Sequence, residues 1–166
     1  DGEGGTVPED AGPPNPVFGY DKLGTGSAGP KKASEITAHG TNGPNATTKS
    51  GQDCNSCHRA GGAASGKVFL FAGSVFAAKG TPQGAGVQVR IVDANGNRVG
   101  PDAFTDVDGN FWILATSAAG AQIQAGAHVG VRNAGGIQNM STALAAGNGA
   151  CNSMGCHDSN MPILLK

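Results

Sequence analysis

Every cysteine in this chain lies in one of two short runs that end in Cys-His, and that limits the architecture more than any other feature. The first run is Cys54-Asn55-Ser56-Cys57-His58. The second is Cys151-Asn152-Ser153-Met154-Gly155-Cys156-His157. Both open Cys-Asn-Ser, and together they use all 4 cysteines. Cys-x-x-Cys-His is the pattern of a c-type haem attachment site. Two thiols two residues apart add across the two vinyl groups of one porphyrin, and the adjacent histidine is carried beneath the ring as the proximal iron ligand. The second run, with four residues between its thiols, is a looser variant. The expectation is two covalently bound haem c groups, with Cys54, Cys57, Cys151 and Cys156 as attachment residues and His58 and His157 as iron ligands. Two other readings compete. Structural zinc takes separated Cys/His pairs that converge tetrahedrally, whereas adjacent Cys-His side chains diverge. Two disulfides suit a secreted chain but leave the histidine after each pair unexplained.

Two haems need two further axial ligands, and the chain has 4 histidines in all, leaving His39 and His128. His39 sits in the loop sequence Ala38-His39-Gly40-Thr41. His128 precedes Val129 on an expected strand whose valines at 129 and 131 face the core. Period-two geometry then puts His128 on the outer face with Gly130 and Arg132. The glycine beside it leaves room for a flat porphyrin against the sheet. Met140 and Met161 compete for the same positions, since Met/His ligation is common and raises the potential. Met154 lies inside the second motif, turned away from the distal side. Ordinary packing is the alternative role for all three.

Charge is nearly balanced, Lys+Arg 11 against Asp+Glu 12, so there is no basic field for nucleic acid or an anionic membrane. Only 14% of residues are charged, little for a freely soluble monomer. With 29 glycines and 5% aromatics, the chain buries little large apolar surface for its length, and two porphyrins would supply part of the missing core. No apolar run is long enough for a transmembrane helix. Asp1 opens a polar stretch without a leader-like segment. Covalent haem attachment takes place outside the cytoplasm, so the chain reads as a mature, exported, extracellular or periplasmic protein. Asn45-Ala46-Thr47 and Asn139-Met140-Ser141 match the short glycosylation sequon.

Residues 1–50 read as an extended Gly/Pro-rich arm, with Pro13-Pro14-Asn15-Pro16 favouring an extended path and Lys31 to Ala38 a short helical turn. Its apolar cluster is Val17, Phe18, Tyr20 and Leu23. Such a segment does not order alone; its own domain or a neighbouring subunit must hold it. Residues 51–66 carry the first haem site. Residues 67–134 turn to β: apolar runs from Val68 to Phe76 are interrupted by Gly73, and Val87-Gln88-Val89-Arg90-Ile91 alternates at period two as a half-buried strand does. Asp93-Ala94-Asn95-Gly96-Asn97 is a hairpin turn. Val99 and Phe104 belong to a return strand, Thr105 to Asn110 turns again into Phe111–Ala115, and Ala127–Asn133 is a further strand. Short strands at regular spacing predict an all-β, small antiparallel β-sandwich flanked by the two haem sites. The Asp/Asn turns lack the sixth-position Gly and closing Glu of a calcium loop, so they read as turn chemistry. Residues 135–166 are a linker, the second haem segment and an apolar tail, Ile163-Leu164-Leu165. An odd number of strands would put the two haems at opposite poles.

Residues 66–134 resemble the carboxypeptidase regulatory-like, transthyretin-type sandwich, through Gly84-Ala85-Gly86-Val87-Gln88-Val89 and Thr105-Asp106-Val107-Asp108-Gly109-Asn110-Phe111. That resemblance implies a passive or recognition module without chemistry of its own. The whole arrangement, a sandwich bracketed by Cys-Asn-Ser…Cys-His sites, resembles exported multihaem c-type cytochromes of metal-reducing and related bacteria. The expected function is electron transfer rather than catalysis, by bis-histidine iron that is closed to peroxide and oxygen. Sparse charge, a pinned arm and haems on both flanks suit a head-to-tail polymer of identical copies, since heterologous contacts that do not close make filaments. The arm, through Val17, Phe18 and Tyr20, and the apolar tail would dock on the next copy. The other partners are redox proteins or extracellular electron acceptors. Rival readings are a soluble periplasmic shuttle, a dihaem peroxidase-type oxidoreductase with an open distal site, and a surface-binding module stabilised by its haems.

Overall fold

The computed structural model describes residues 14–24, 53–79, 81–116, 122–151, 157 and 163–165. His39, Cys156, Met154, Met161, the 31–38 segment and the Asn45 sequon lie outside them. Among the described residues, eight strands follow one 3-10 turn at Cys54–Ser56: β1 (Phe69–Ala78), β2 (Thr81–Pro82), β3 (Gln88–Val92), β4 (Ala103–Phe104), β5 (Asn110–Leu114), β6 (His128–Asn133), β7 (Gly136–Asn139) and β8 (Ile163–Leu164). The chain is all-β and forms two four-stranded sheets. In one, β1 pairs β5, β2 and β8; the other has the order β4-β3-β6-β7. The core lies between them. Phe71, Val75, Phe111 and Ile113 of the first sheet pack with Val89, Ile91, Val129 and Val131 of the second in one buried cluster.

The turns follow from local chemistry. Asp93 Oδ1 accepts hydrogen bonds from the Asn95 and Asn97 amides at 2.8 and 2.9 Å. Asp106 Oδ1 does the same for Asp108 and Asn110, both at 2.9 Å. Both are Asx turns. The expected strands are present in order, but the return strand is only Ala103–Phe104 and leaves Val99 outside it. β1, however, is a continuous ten-residue strand that runs straight through Gly73, which pairs with Phe111.

Two elements differ from expectation. β7 forms a hairpin on β6, where the sequence had suggested linker. The apolar tail pairs with the protein's own β1 as a parallel strand, Val75 opposite Ile163 and Phe76 opposite Leu164, and Leu165 is 1% exposed. Leu165 is thereby taken up by the protein's own core, while Leu164 beside it stays exposed. β1 had an unpaired edge and Leu165 an apolar side chain, and the chain satisfies both internally.

The arm, too, is held by its own domain over residues 14–24. Asn15 Oδ1 accepts from the Val17 and Phe18 amides, both at 2.9 Å, and closes a turn that projects these two side chains. They land on the outer face of the second sheet, against Val92. Phe18 lies between two guanidinium groups, Arg132 at 4.1 Å and Arg90 at 5.1 Å from the ring centroid. Asp21 bonds Arg90 at 2.6 Å and also pairs with Arg98, while the Asp21 and Lys22 carbonyls accept from Arg132 at 2.8 and 2.6 Å. Asp102 closes the network on Arg90 and Gln88. This explains why every residue of β3 is buried: the core covers one face and the arm the other.

Candidate functional site

The first Cys-Asn-Ser-Cys-His run is built as a capped turn. Asp53 caps the 3-10 helix, its carboxylate accepting from the Ser56 amide at 3.1 Å, while the Ser56 hydroxyl donates back to the Asp53 carbonyl at 2.7 Å. The Cys57 and His58 amides both donate to the Cys54 carbonyl, at 3.2 and 3.0 Å. In a 3-10 turn the side chains of residues i and i+3 eclipse, so Cys54 and Cys57 project on one side, as two bonds to one flat ring require. Cys57 is exposed and Cys54 half-buried. Burial, helped by the nearby Asp53 carboxylate, pushes the Cys54 thiol up to about 11. Cys54 is therefore a neutral thiol at pH 7, a weak nucleophile in the absence of an activating partner.

His58 is fixed twice. Its Nδ1 lies 2.9 Å from the Lys67 carbonyl oxygen, so Nδ1 carries the proton and Nε2 the lone pair that a metal uses. Its ring stacks on Phe69 at 4.0 Å between centroids and 10° between planes. Phe69 in turn stacks on Trp112 at 6.2 Å. Phe69 pairs with Leu114 and shares a face with Trp112, while Phe111 and Ile113 point into the core. His58 thus stands over the outer face of the first sheet. Next to the turn an open cleft of about 680 Å3 is lined by Asp53, Asn55, Ser56, Arg59, Phe69, Leu70, Ala115, Gln122 and Gly147, with Cys54, Cys57 and His58 outside its lining. That volume is within the range of small-molecule and cofactor pockets.

The second run comes to the same strand. The Ala72 amide donates to the Gly149 carbonyl at 2.9 Å, and the Cys151 amide to the Ala72 carbonyl at 3.0 Å. The His157 amide returns to the Cys151 carbonyl at 3.0 Å. Gly149 is pressed between the motifs: a Cβ there would lie 1.9 Å from the Leu70 carbonyl oxygen and 3.0 Å from Nδ2 of Asn55. The described residues of the two Cys-His runs therefore converge on the first half of β1. The reason is that both approach β1 near Phe69–Ala72, the first by a short loop and the second by a parallel return along its edge.

The remaining ligand candidates are dispersed. His128 pairs with Val92, in register with Arg90–Gly130 and Gln88–Arg132, so it does lie on the outer face of the second sheet. The flat space expected beside it is filled, because Phe18 and Val17 lie against Gly130. His58 and His128 stand on opposite outer faces of two sheets packed about 10 Å apart. Two imidazoles on one metal need their nitrogens only about 4 Å apart, so the fold does not bring this pair to one iron. Met140 packs against the core, in the filler role.

The residues of the first motif fit a covalent haem: paired thiols on one side of a turn, an oriented imidazole and a cleft beside them. In the second, Cys151 is 3% exposed within the core cluster and is the residue that fits least directly. Among the described residues no three His, Cys, Asp or Glu side chains gather as a zinc site requires, and no helix is long and apolar enough to cross a membrane. Comparison of the chain with protein-family models, curated proteins and solved structures found no match.

Proposed function

We propose that this chain is a dihaem c-type cytochrome for extracellular electron transfer. One observation carries the proposal: two Cys…Cys-His runs, far apart in sequence, meet on the same few residues of β1. A disulfide staple needs no oriented histidine, whereas a metal-bound imidazole does. Bound haem iron would supply the one-electron chemistry. The chain's own residues tether it through Cys54, Cys57, Cys151 and Cys156, orient His58 and His157, and fix the spacing of the two sites through Gly149. Electrons would pass between two groups held close within one chain, with no substrate turned over.

His39 and His128 are the proposed distal ligands. His128, on the far face from His58, suits an iron outside the first site, the second haem or one in a neighbouring copy. The proposed assembly is a head-to-tail polymer, supported by the low charge and by the sheet margin at β7, where Ile137 is exposed. The docking of residues 14–24 on their own sheet favours a second reading, a monomeric shuttle, because it removes the arm's apolar cluster from any contact between copies.

The test is direct. Acid–acetone extraction should leave two haems per chain on the protein, and the visible spectrum should be low-spin. Close spacing should give a split circular-dichroism band in the Soret region. Colourless protein, or bound zinc in place of iron, refutes the proposal; a high-spin spectrum shifts it toward a peroxidase-type enzyme. Light scattering separates polymer from shuttle.

A further inference from the structure

We propose that Phe69 is a positioning residue for the axial ligand: it sets the plane of the His58 imidazole and through it the electronic state of the first haem. The proposal rests on the cytochrome reading. Two features of an axial histidine matter to a metal: which nitrogen binds, and how the ring plane is turned. The Lys67 carbonyl at 2.9 Å from Nδ1 settles one, by choosing which nitrogen binds. It leaves the tilt of the ring about that hydrogen bond open. Phe69 settles the other: a ring at 4.0 Å and 10° holds the imidazole flat against it. Stacked aromatic pairs contribute about 0.5–1.5 kcal/mol beyond their burial, enough to favour one ring orientation over others by a few-fold to about tenfold.

Phe69 is itself held. It is the first residue of β1, its amide donates to the His58 carbonyl at 2.9 Å, and its ring rests on Trp112 of the neighbouring strand. The stack therefore ties the imidazole to the sheet instead of to the loop that carries it. Outer partners of metal-bound histidines normally act through hydrogen bonds; here a ring face does the orienting. In a low-spin ferric haem the plane of the axial imidazole sets the order and spread of the haem-methyl proton shifts, a quantity that packing alone does not control.

The experiment uses the haem-loaded protein. Phe69→Leu keeps apolar bulk without a planar face, and Phe69→Tyr restores the face. In the leucine variant the methyl shifts of the haem on Cys54 and Cys57 should change their order or spread, those of the second haem should hold, and tyrosine should return the original pattern. An unchanged pattern in the leucine variant overturns the proposal. Should the leucine variant fail to load haem, contacts between Phe69 and His58 ring protons in the unaltered protein decide: their presence at van der Waals range supports the stack, their absence overturns it. If the unaltered protein carries no haem, the cytochrome reading falls, and the same ring contacts then report on the stack separately.

Discussion

Replacing Phe18 by alanine tests the arm clasp. Phe18 is 1% exposed, although it belongs to a segment whose composition does not support order. Truncating a buried phenylalanine costs about 3–5 kcal/mol. Within that sum, two guanidinium contacts contribute about 0.5–2 kcal/mol each, according to how dry they are. Arg90 and Arg132 are each 4% exposed, so the upper half of that range applies. The two cations also lose their cover, but their partners Asp102 and Gln88 stay in place, so some of the cost is recovered as water enters. A net loss of about 3 kcal/mol is the expectation. Urea unfolding of the haem-loaded protein reads it: with a slope of about 2 kcal/mol per molar, the midpoint should fall by about 1.5 M. Phe18→Leu, which keeps most of the burial and loses the cation–ring contacts, should fall between. Because the clasp is within one chain, the loss should not depend on protein concentration. A midpoint change equivalent to less than about 0.5 kcal/mol refutes the clasp, that being the usual range for exposed sites. A large loss that grows on dilution refutes its intramolecular character and moves the arm onto a neighbour.

Two further predictions concern the same face. Gly130→Ala would set a Cβ 2.6 Å from Asn139 Oδ1 and 2.7 Å from Phe18 Cε2. It should cost about 1–3 kcal/mol as overpacking does and should speed proteolytic removal of residues 1–24; equal cleavage rates would sink the argument. Acid should loosen the clasp. For Asp102, burial opposes ionisation, but hydrogen bonds from Arg90 and Gln88 outweigh it and hold the carboxyl below its ordinary value; for Asp21 the Arg90 hydrogen bond dominates in the same direction. A depressed carboxyl adds stability that is complete above its unfolded value, near 4, and is lost as pH falls through the lower folded value. The urea midpoint should therefore hold from pH 7 to about 5 and drop below 4, and Asp102→Asn should flatten that drop.

The strands that carry an apolar face were legible in the sequence. Val89 and Ile91 alternate with polar neighbours, and Val129 and Val131 do the same, because each strand shows one face to the core. What the alternation conceals is the other face. Gln88, Arg90 and Arg132 read as solvated, yet are 2–4% exposed, since a segment 64 to 111 residues away in sequence covers them. Burial of that kind leaves no period in the sequence; only the pair Val17-Phe18, unusual within a Gly/Pro-rich arm, hints at it. β7 was hidden for a different reason. Gly136-Ile137-Gln138-Asn139 has one apolar residue, and its strand comes from a turn in which Asn133 Oδ1 accepts from the Gly135 and Gly136 amides at 2.8 and 3.0 Å. At the candidate site the sequence named the cysteines and histidines, but not Lys67, Phe69 or Gly149, which hold them. A carbonyl carries no residue identity, and a phenylalanine at a strand start looks like any core residue. The meeting of the two motifs depends on a parallel pairing across almost eighty residues, which only the fold supplies.

The clasp and the site bear on each other through the two outer faces. The arm covers the second sheet's outer face, and His58 of the first Cys-His run stands over that of the first. Neither sheet therefore offers its whole outer face to another molecule, and a contact between copies has to use the margins. The second sheet ends in β7, with Ile137 45% exposed, and β8, with Leu164 40% exposed, lies in the first sheet; Val107, 51% exposed, stands apart in the β4–β5 turn. Exposed edges of this kind recruit partner strands unless they are protected. Polymerisation by exchange of residues 14–24 would break an ion-paired, doubly stacked clasp for each contact made. Polymerisation by the margins breaks nothing. If copies assemble, removing residues 1–30 should unfold or loosen each subunit by exposing Val92, Arg90 and Arg132, and dispersal of intact subunits is not the expected outcome. A truncated protein that is both fully stable and dispersed would show that the arm's hold belongs between subunits after all.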